Sequence, residues 1–365
     1  MAELPLDIVF DILSRVPVKS LLRFRCVSEP WCNIIDQPHF ASLQITRSSE
    51  EPTSLIVSEP TLRKSTLGLH PVKEKEGTFE TSENPLVEFD LSMYHATGSC
   101  NGLFYFAEYY SEGLIIVSNP LKREVQRLPP APAKNIDTRL NFFKTYGMGF
   151  DNSTKTFKLV CVFFQERTFG PPRYRLGTLV HTLGTGSWRE ISQVPPYPIC
   201  SKPVFAHGAL HWIVHPYVRY HDTTEGMIVS FDLRKEKFSL PSHPNFHSKD
   251  CEFFQLVDLN GNLGMADLSC KSKIEIWVMK DFERKQWVRE YRIEICAAEG
   301  RFDNRHIEVI GLWKHGDILM RSLLRPSQGY FIYNQKTGLR STNSSNDLRH
   351  RSTISSHRGS LIPLP

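Results

Sequence analysis

Three histidines at four-residue spacing, His207, His211 and His215, are the nearest approach to a metal-ligand pattern in this 365-residue sequence. Zinc sites with that spacing need a helix that brings positions i and i+4 onto one face, whereas Gly208 and the run Trp212-Ile213-Val214 argue for a hairpin. Along a strand the three would point the same way but rise too far apart to share one ion, so they read as hydrogen-bonded or surface histidines. The eight cysteines, at 26, 32, 100, 161, 200, 251, 270 and 296, contain no Cys-x-x-Cys pair. Reduced, buried thiols fit that scatter better than a zinc knuckle or a disulfide framework. There is also no Gly-x-Ser-x-Gly elbow, phosphate loop or dinucleotide fingerprint. The expectation is therefore a non-catalytic protein without metal or cofactor, one that works through its surfaces.

Composition narrows the partners. Apolar residues make up 40% and charged residues 23%, an ordinary balance for a folded soluble chain. The net charge of +5 is spread among acids and forms no basic stripe, so nucleic acid is not an expected partner. The start, MAELPLDIVF, has acids where a secretory signal would be basic, and no apolar run approaches the roughly 18 residues of a membrane span. Cytoplasm or nucleus is the expected location, with no membrane partner.

The sequence changes character along its length. Pro5 followed by Asp7 is a sound helix start, and Ile8, Val9, Ile12, Leu13 and Val16 then recur at helical spacing. Pro17 must end that helix and can open a second through Leu21 and Leu22. Ser28 can cap a third, which carries Trp31, Ile34 and Ile35. Three short helices in about 40 residues are near the lower limit for a self-sufficient core. Periodicity alone leaves two readings: the helices cap the following domain, or another polypeptide completes them.

Resemblance bears on that choice. Leu4-Pro5, Ile8, Ile12-Leu13, Arg15, Val16-Pro17-Val18-Lys19-Ser20-Leu21-Leu22, Arg23 to Ser28, Trp31 and Phe40 together resemble an F-box over its whole length. The resemblance implies docking on a Skp-family adaptor and, through it, on a cullin and a RING subunit. The residues matching the family's adaptor-facing motif are Leu4, Pro5, Ile8, Leu13, Pro17, Leu21, Leu22, Val27 and Trp31. Glu29 departs from the basic residue usual at its position.

Beyond the helices, small turn signals recur between apolar strands: Asn101-Gly102, Asp151-Asn152-Ser153, His207-Gly208, Asn260-Gly261 and His315-Gly316, with a period a little above fifty. A second turn in each unit precedes an aromatic or Leu-rich strand, so each repeat holds two hairpins and four strands. That is the arithmetic of a β-propeller blade, with a period near that of kelch repeats, although the kelch Gly-Gly pair is absent. Ser99 to Leu103, Asn119-Pro120, Tyr146 to Asp151, Gly208 to Trp212, Phe231 to Leu233 and Ile274 to Met279 resemble the kelch-like F-box-associated domain of plant F-box proteins. The expected organisation is α+β and multidomain: a three-helix F-box at 1–45, an all-β propeller of about six blades at 46–342, and a disordered tail at 343–365. Weaker strands between 45 and 95 are assigned to a divergent first blade or to ring closure.

If the recurring turns share one rim, the loops near 108–113, 165–173, 215–226, 269–273 and 324–329 share the other, where binding is usually built. Phe169, Arg173, Tyr174, Tyr217, Arg219 and Tyr220 supply the aromatic and Arg side chains typical of protein interfaces, and are the expected contacts for an unidentified protein substrate. The resemblance implies the substrate-receiving subunit of a ubiquitin ligase. A scaffold that binds the adaptor and sequesters partners without cullin-dependent tagging is the alternative.

Overall fold

The computed structural model describes residues 4–47, 54–60, 66–75, 78–91, 95–108, 114–132, 144–167, 174–215, 227–244, 251–295, 306–323, 329–344, 353–357 and 359–364. Four helices come first, one more than expected: α1 (Leu6–Leu13), α2 (Val18–Phe24), α3 (Glu29–Ile35) and α4 (Pro38–Arg47). Strands follow: β1 (Ser54–Pro60), β2 (Thr66–Lys75), β3 (Thr78–Thr81) and β4 (Val87–Asp90). Five four-stranded units come next. They are β5 (His95–Cys100), β6 (Leu103–Glu108), β7 (Ile115–Asn119) and β8 (Glu124–Leu128); then β9 (Thr145–Asp151), β10 (Thr156–Arg167), β11 (Tyr174–Thr182) and β12 (Arg189–Ile191). The third unit is β13 (Ile199–Ala206), β14 (Ala209–Val214), β15 (Ile228–Asp232) and β16 (Lys237–Ser239). The fourth is β17 (Phe254–Leu259), β18 (Asn262–Asp267), β19 (Lys273–Asp281) and β20 (Gln286–Glu294). The fifth is β21 (Ile307–Leu312), β22 (Ile318–Ser322), β23 (Gly329–Asn334) and β24 (Gly338–Ser344), and β25 (Thr353–His357) comes last.

Each of the five units is an antiparallel meander. The recurring turns explain the regularity: Asn101 and Gly102, His207 and Gly208, Asn260 and Gly261, and His315 and Gly316 all have positive φ. Two consecutive residues in that region make the tight hairpin whose twist matches the strands, and Asn, His and Gly tolerate it best. Burial then grades outward. Strand β6 is buried along its entire length, while β8 alternates between exposed and half-buried positions before a buried Leu128. Inner strands are covered on both faces by neighbouring blades, and outer strands on one.

Residues 54–90 form the sixth blade, but its inner strand comes from the other end of the chain. Strand β25 pairs antiparallel with β1, β1 with β2, and β2 with β4. The 343–365 segment, expected to be disordered, thus supplies a ring-closing strand. Its polar sequence misled because inner strands border a central cavity of about 240 Å³, lined by Ser99, Lys202, Asp258, Glu308 and Ser355 among others. A strand facing that cavity needs no apolar side chains there. Closure shows in the cores as well: clusters lie between successive blades around the ring, including Leu69, Val87 and Phe89 against Phe104 and Phe106, and Val72 and Phe79 against Trp313 and Tyr330.

Polar ends of large side chains stitch one blade to the next, as buried Trp and Tyr require. Tyr105 Oη donates to Tyr146 O at 2.7 Å, Trp188 Nε1 to Pro129 O at 2.8 Å, and Trp212 Nε1 to Thr145 Oγ1 at 3.1 Å. Trp287 Nε1 donates to Ser242 O at 3.0 Å, and Trp313 Nε1 to Glu74 at 3.2 Å. One further stitch is ionic. Lys158 Nζ, almost fully buried, lies 2.9 Å from Asp151 and reaches across to Leu233 O at 2.8 Å and Glu236 at 3.1 Å in the next blade.

Burial alone would raise the Asp151 pKa, but hydrogen bonds from Ser153 and Lys158 outweigh it and hold the carboxyl well below the usual range. Its stabilising contribution is therefore present above about pH 4 and fades as pH falls toward the depressed folded-state pKa. Removing one partner of a buried pair leaves the other charge uncompensated, so Lys158→Met should cost about 3 kcal/mol at pH 7. In denaturant titrations that difference should shrink below pH 4, as Asp151 is neutralised.

Candidate adaptor face and target-binding rim

The leading helices owe their starts to prolines and one hydroxyl. Pro5 and Pro17 occupy the N-caps of α1 and α2, and the Ser28 hydroxyl caps α3 by accepting from Trp31 N at 3.4 Å. Val9, Leu13, Val18, Leu21, Ile34, Ile35, Phe40 and Ala41 close into a small core. The unexpected α4 completes it. Phe40 meets Phe10 edge-on with ring centroids 5.2 Å apart, and Arg47 Nη1 pairs with Asp11 at 2.6 Å. Ser14 is fully buried, donating to Asp11 O at 2.8 Å.

Helix α1 carries more apolar surface than this core can use. Val9 and Leu13 point inward, while Leu4, Leu6, Ile8, Ile12 and Val27 remain between 46% and 61% exposed. Fully burying a side chain of that size contributes about 1.5–3 kcal/mol, and these are already about half covered, so each still offers roughly half of that to a partner. The opposite side of the bundle rests on the ring, where Leu121, in the turn between β7 and β8, packs against the helical core with Leu361 and Ile362.

The ring has two distinct rims. Leu121 lies at the β7–β8 end of its blade, and the connection from β6 to β7 lies at the other end of the same strand. The helices therefore sit on the rim opposite the β6–β7, β10–β11, β14–β15, β18–β19 and β22–β23 connections. Those are the loops expected to bind a target.

A family model described as an F-box domain matches residues 1–43, and one described as an F-box associated beta propeller domain matches residues 58–345. The chain belongs to the F-box proteins with an F-box-associated β-propeller. F-box protein At3g07870 of Arabidopsis thaliana is 28% identical over 340 residues, covering 87% of this chain and 78% of its own. F-box/kelch-repeat protein At3g23880 of the same plant is 26% identical over 292 residues, covering 77% and 76% respectively. The crystal structure of Saccharomyces cerevisiae Sqt1 overlays with a TM-score of 0.40 at 9% identity, covering 80% of this chain and 70% of that one, too low a likeness to carry an argument.

The F-box residues singled out in the sequence divide into three groups. Leu4, Pro5, Ile8 and Val27 are exposed and free to meet a partner. Leu13 and Leu21, at 1% and 0% exposure, belong to the bundle's own core. Pro17, Leu22 and Trp31 are half-buried: Pro17 starts α2, Leu22 lines a cleft facing Leu121 and Pro363, and Trp31 packs edge-on to Phe24 with centroids 5.5 Å apart. Leu6 and Ile12 were not among the expected contacts. The signal for Ile12 was the breadth of the α1 apolar face, since Ile8 and Ile12 form one four-residue row and Val9 and Leu13 another, turned by 100°.

On the rim opposite the helices, Tyr174 opens β11 opposite Arg167. Phe169, Arg173, Tyr217, Arg219 and Tyr220 lie outside the described residues. The histidine series has a structural role at its centre. His211 is fully buried, accepting at Nδ1 from the Ser230 hydroxyl (2.5 Å) and donating from Nε2 to Ala206 O (3.1 Å), and burial lowers its pKa to about 4. His207 instead occupies the β13–β14 turn and stacks on Phe282 at 5.7 Å. Of the cysteines, Cys100 and Cys161 are buried, but Cys26 is exposed, against expectation.

The partition on α1 makes a sharp prediction. Ile8→Asp combined with Ile12→Asp should change stability by less than about 1 kcal/mol, because both side chains already stand in water. Leu13→Asp, which places a carboxylate in the sealed core, should abolish the helical part of the circular-dichroism melt. Equal effects of the two changes would contradict the two-sided reading of the helix.

Proposed function

We propose that this F-box protein is the substrate-recognition subunit of a Skp-cullin-F-box ubiquitin ligase in the cytoplasm or nucleus. The observation that carries the proposal is the exposed Ile8–Ile12 row of α1, with Leu4 and Leu6 also exposed at its start, on a bundle whose core packs against the ring through Leu121, Leu361 and Ile362. A Skp-type adaptor, which the F-box domain implies as partner, would cover that row as a helix-in-groove contact dominated by a few buried anchors. Cullin and RING subunits would follow through the adaptor. Glu29, exposed at the start of α3, is a rim charge whose sign would affect association rate more than affinity.

The opposite rim would hold the target, with Phe169, Arg173, Tyr174, Tyr217, Arg219 and Tyr220 as proposed contacts. The chain's own role is then proximity: a lysine on the held target meets a high effective concentration of activated ubiquitin, and no residue here performs chemistry.

The test uses the two surfaces separately in cells. Ile8→Asp with Ile12→Asp should lower adaptor co-purification about 100-fold or more, leave target capture intact and raise target abundance. Alanine at the six rim positions should do the reverse, keeping the adaptor and releasing the target. Proteasome-independent target levels with every variant would oppose the ligase reading and favour simple sequestration.

A further inference from the structure

The segment that closes the ring does not stop there. His357 pairs with Ser54 at the start of β1, and Leu361, four residues on, lies in the F-box core, so β25 delivers the chain to the rim on which the helices sit. Residues 359–364 then run between the two bodies and are gripped from both sides. The fully buried Asn119, at the end of β7, donates from Nδ2 to Ser360 O and Ile362 O, both at 3.0 Å. Leu364 N donates to Glu124 at 2.9 Å. Leu361, 6% exposed, is part of the F-box core. Ile362 packs against both that core and the cluster between the blades of β5–β8 and β9–β12. Gly359 admits no side chain: a Cβ there would lie 2.6 Å from Val18 and 2.6 Å from Leu121, one on each body.

We infer that residues 359–364 are a strap that fixes the angle of the F-box on the propeller, and that ring closure and F-box docking are coupled because one continuous segment does both. A buried asparagine with two backbone acceptors costs less to keep ordered than to leave unpaired, so the strap is held by satisfied polar groups as well as by apolar contact. Its consequence for ubiquitin transfer rests on the proposed ligase role: a fixed angle keeps a rim-bound target at a constant distance from the adaptor. The strap itself does not depend on that role.

Two variants of the full chain test it: one ending after residue 358, which keeps β25, and Leu361→Asp. Hydrogen exchange and small-angle scattering of each protein alone read the outcome. Amides of α2–α4 should exchange at least about tenfold faster while β1 and β25 keep their protection, and the radius of gyration should rise as the F-box samples new angles. Unchanged helix protection with an unchanged radius in both variants would overturn the strap. Loss of protection throughout the blades would overturn it too, since the segment would then belong to the propeller alone. In a reconstituted ligase the variants should bind adaptor and target within about twofold of wild type and ubiquitinate the target several-fold more slowly. If the unmodified chain gives no ubiquitination at all, the ligase role fails and the exchange result still decides the strap.

Discussion

Coverage of both faces of every blade is the constraint on which this molecule rests. A four-stranded sheet whose inner strands are apolar on both sides, like the one holding the fully buried β6, cannot stand in water, and each blade solves the problem by packing between two others. Such a series has no natural end unless it bends into a ring. Here the ring is closed by combining β25 from one end of the chain with β1, β2 and β4 from the other. A break would expose two apolar faces at once, together with an unpaired strand edge. The stitches made by Tyr105, Trp188, Trp212, Trp287 and Trp313 give the ring its angular register, because each polar tip has its acceptor in, or just after, a neighbouring unit.

Function follows from what closure leaves over. With all blade faces consumed, the ring can meet other molecules through its two rims, its outer strands and its cavity mouth. One rim is taken by the F-box, seated through Leu121, Leu361 and Ile362. The apolar row on the far side of α1 then has no partner among the described residues, in contrast with Val9 and Leu13 one position further round the same helix. The opposite rim is where the longest connections gather. A molecule built this way is a spacer with two ends.

Much of this was legible from residue types. Asn-Gly and His-Gly pairs at a regular interval suit turns with two consecutive positive φ angles, so they marked the hairpins, the four-strand blades and, by elimination, the opposite rim on which the long connections gather. Pro5, Pro17 and Ser28 marked helix starts for equally local reasons. What escaped were features set by distant partners. The Thr353–His357 strand reads as polar tail because it borders the central cavity, which Ser355 lines, and no local pattern encodes that. Leu13 and Leu21 carry the same apolar signal as Ile8; only the arrival of α4 and Phe40 decides which row becomes core and which remains surface. The buried pair of Lys158 with Asp151 and Glu236 was equally invisible, since the turn that completes it belongs to the next blade.

Side-chain footprinting of the intact protein by hydroxyl radicals, with and without a Skp-type adaptor, tests the two-ended arrangement most directly. Leu4, Leu6, Ile8 and Ile12 should lose reactivity when the adaptor binds, while Leu13 and Leu21 stay unreactive throughout and Tyr174 on the far rim is unchanged. Full reactivity of the α1 row in the presence of bound adaptor, or protection on the far rim instead, would contradict it.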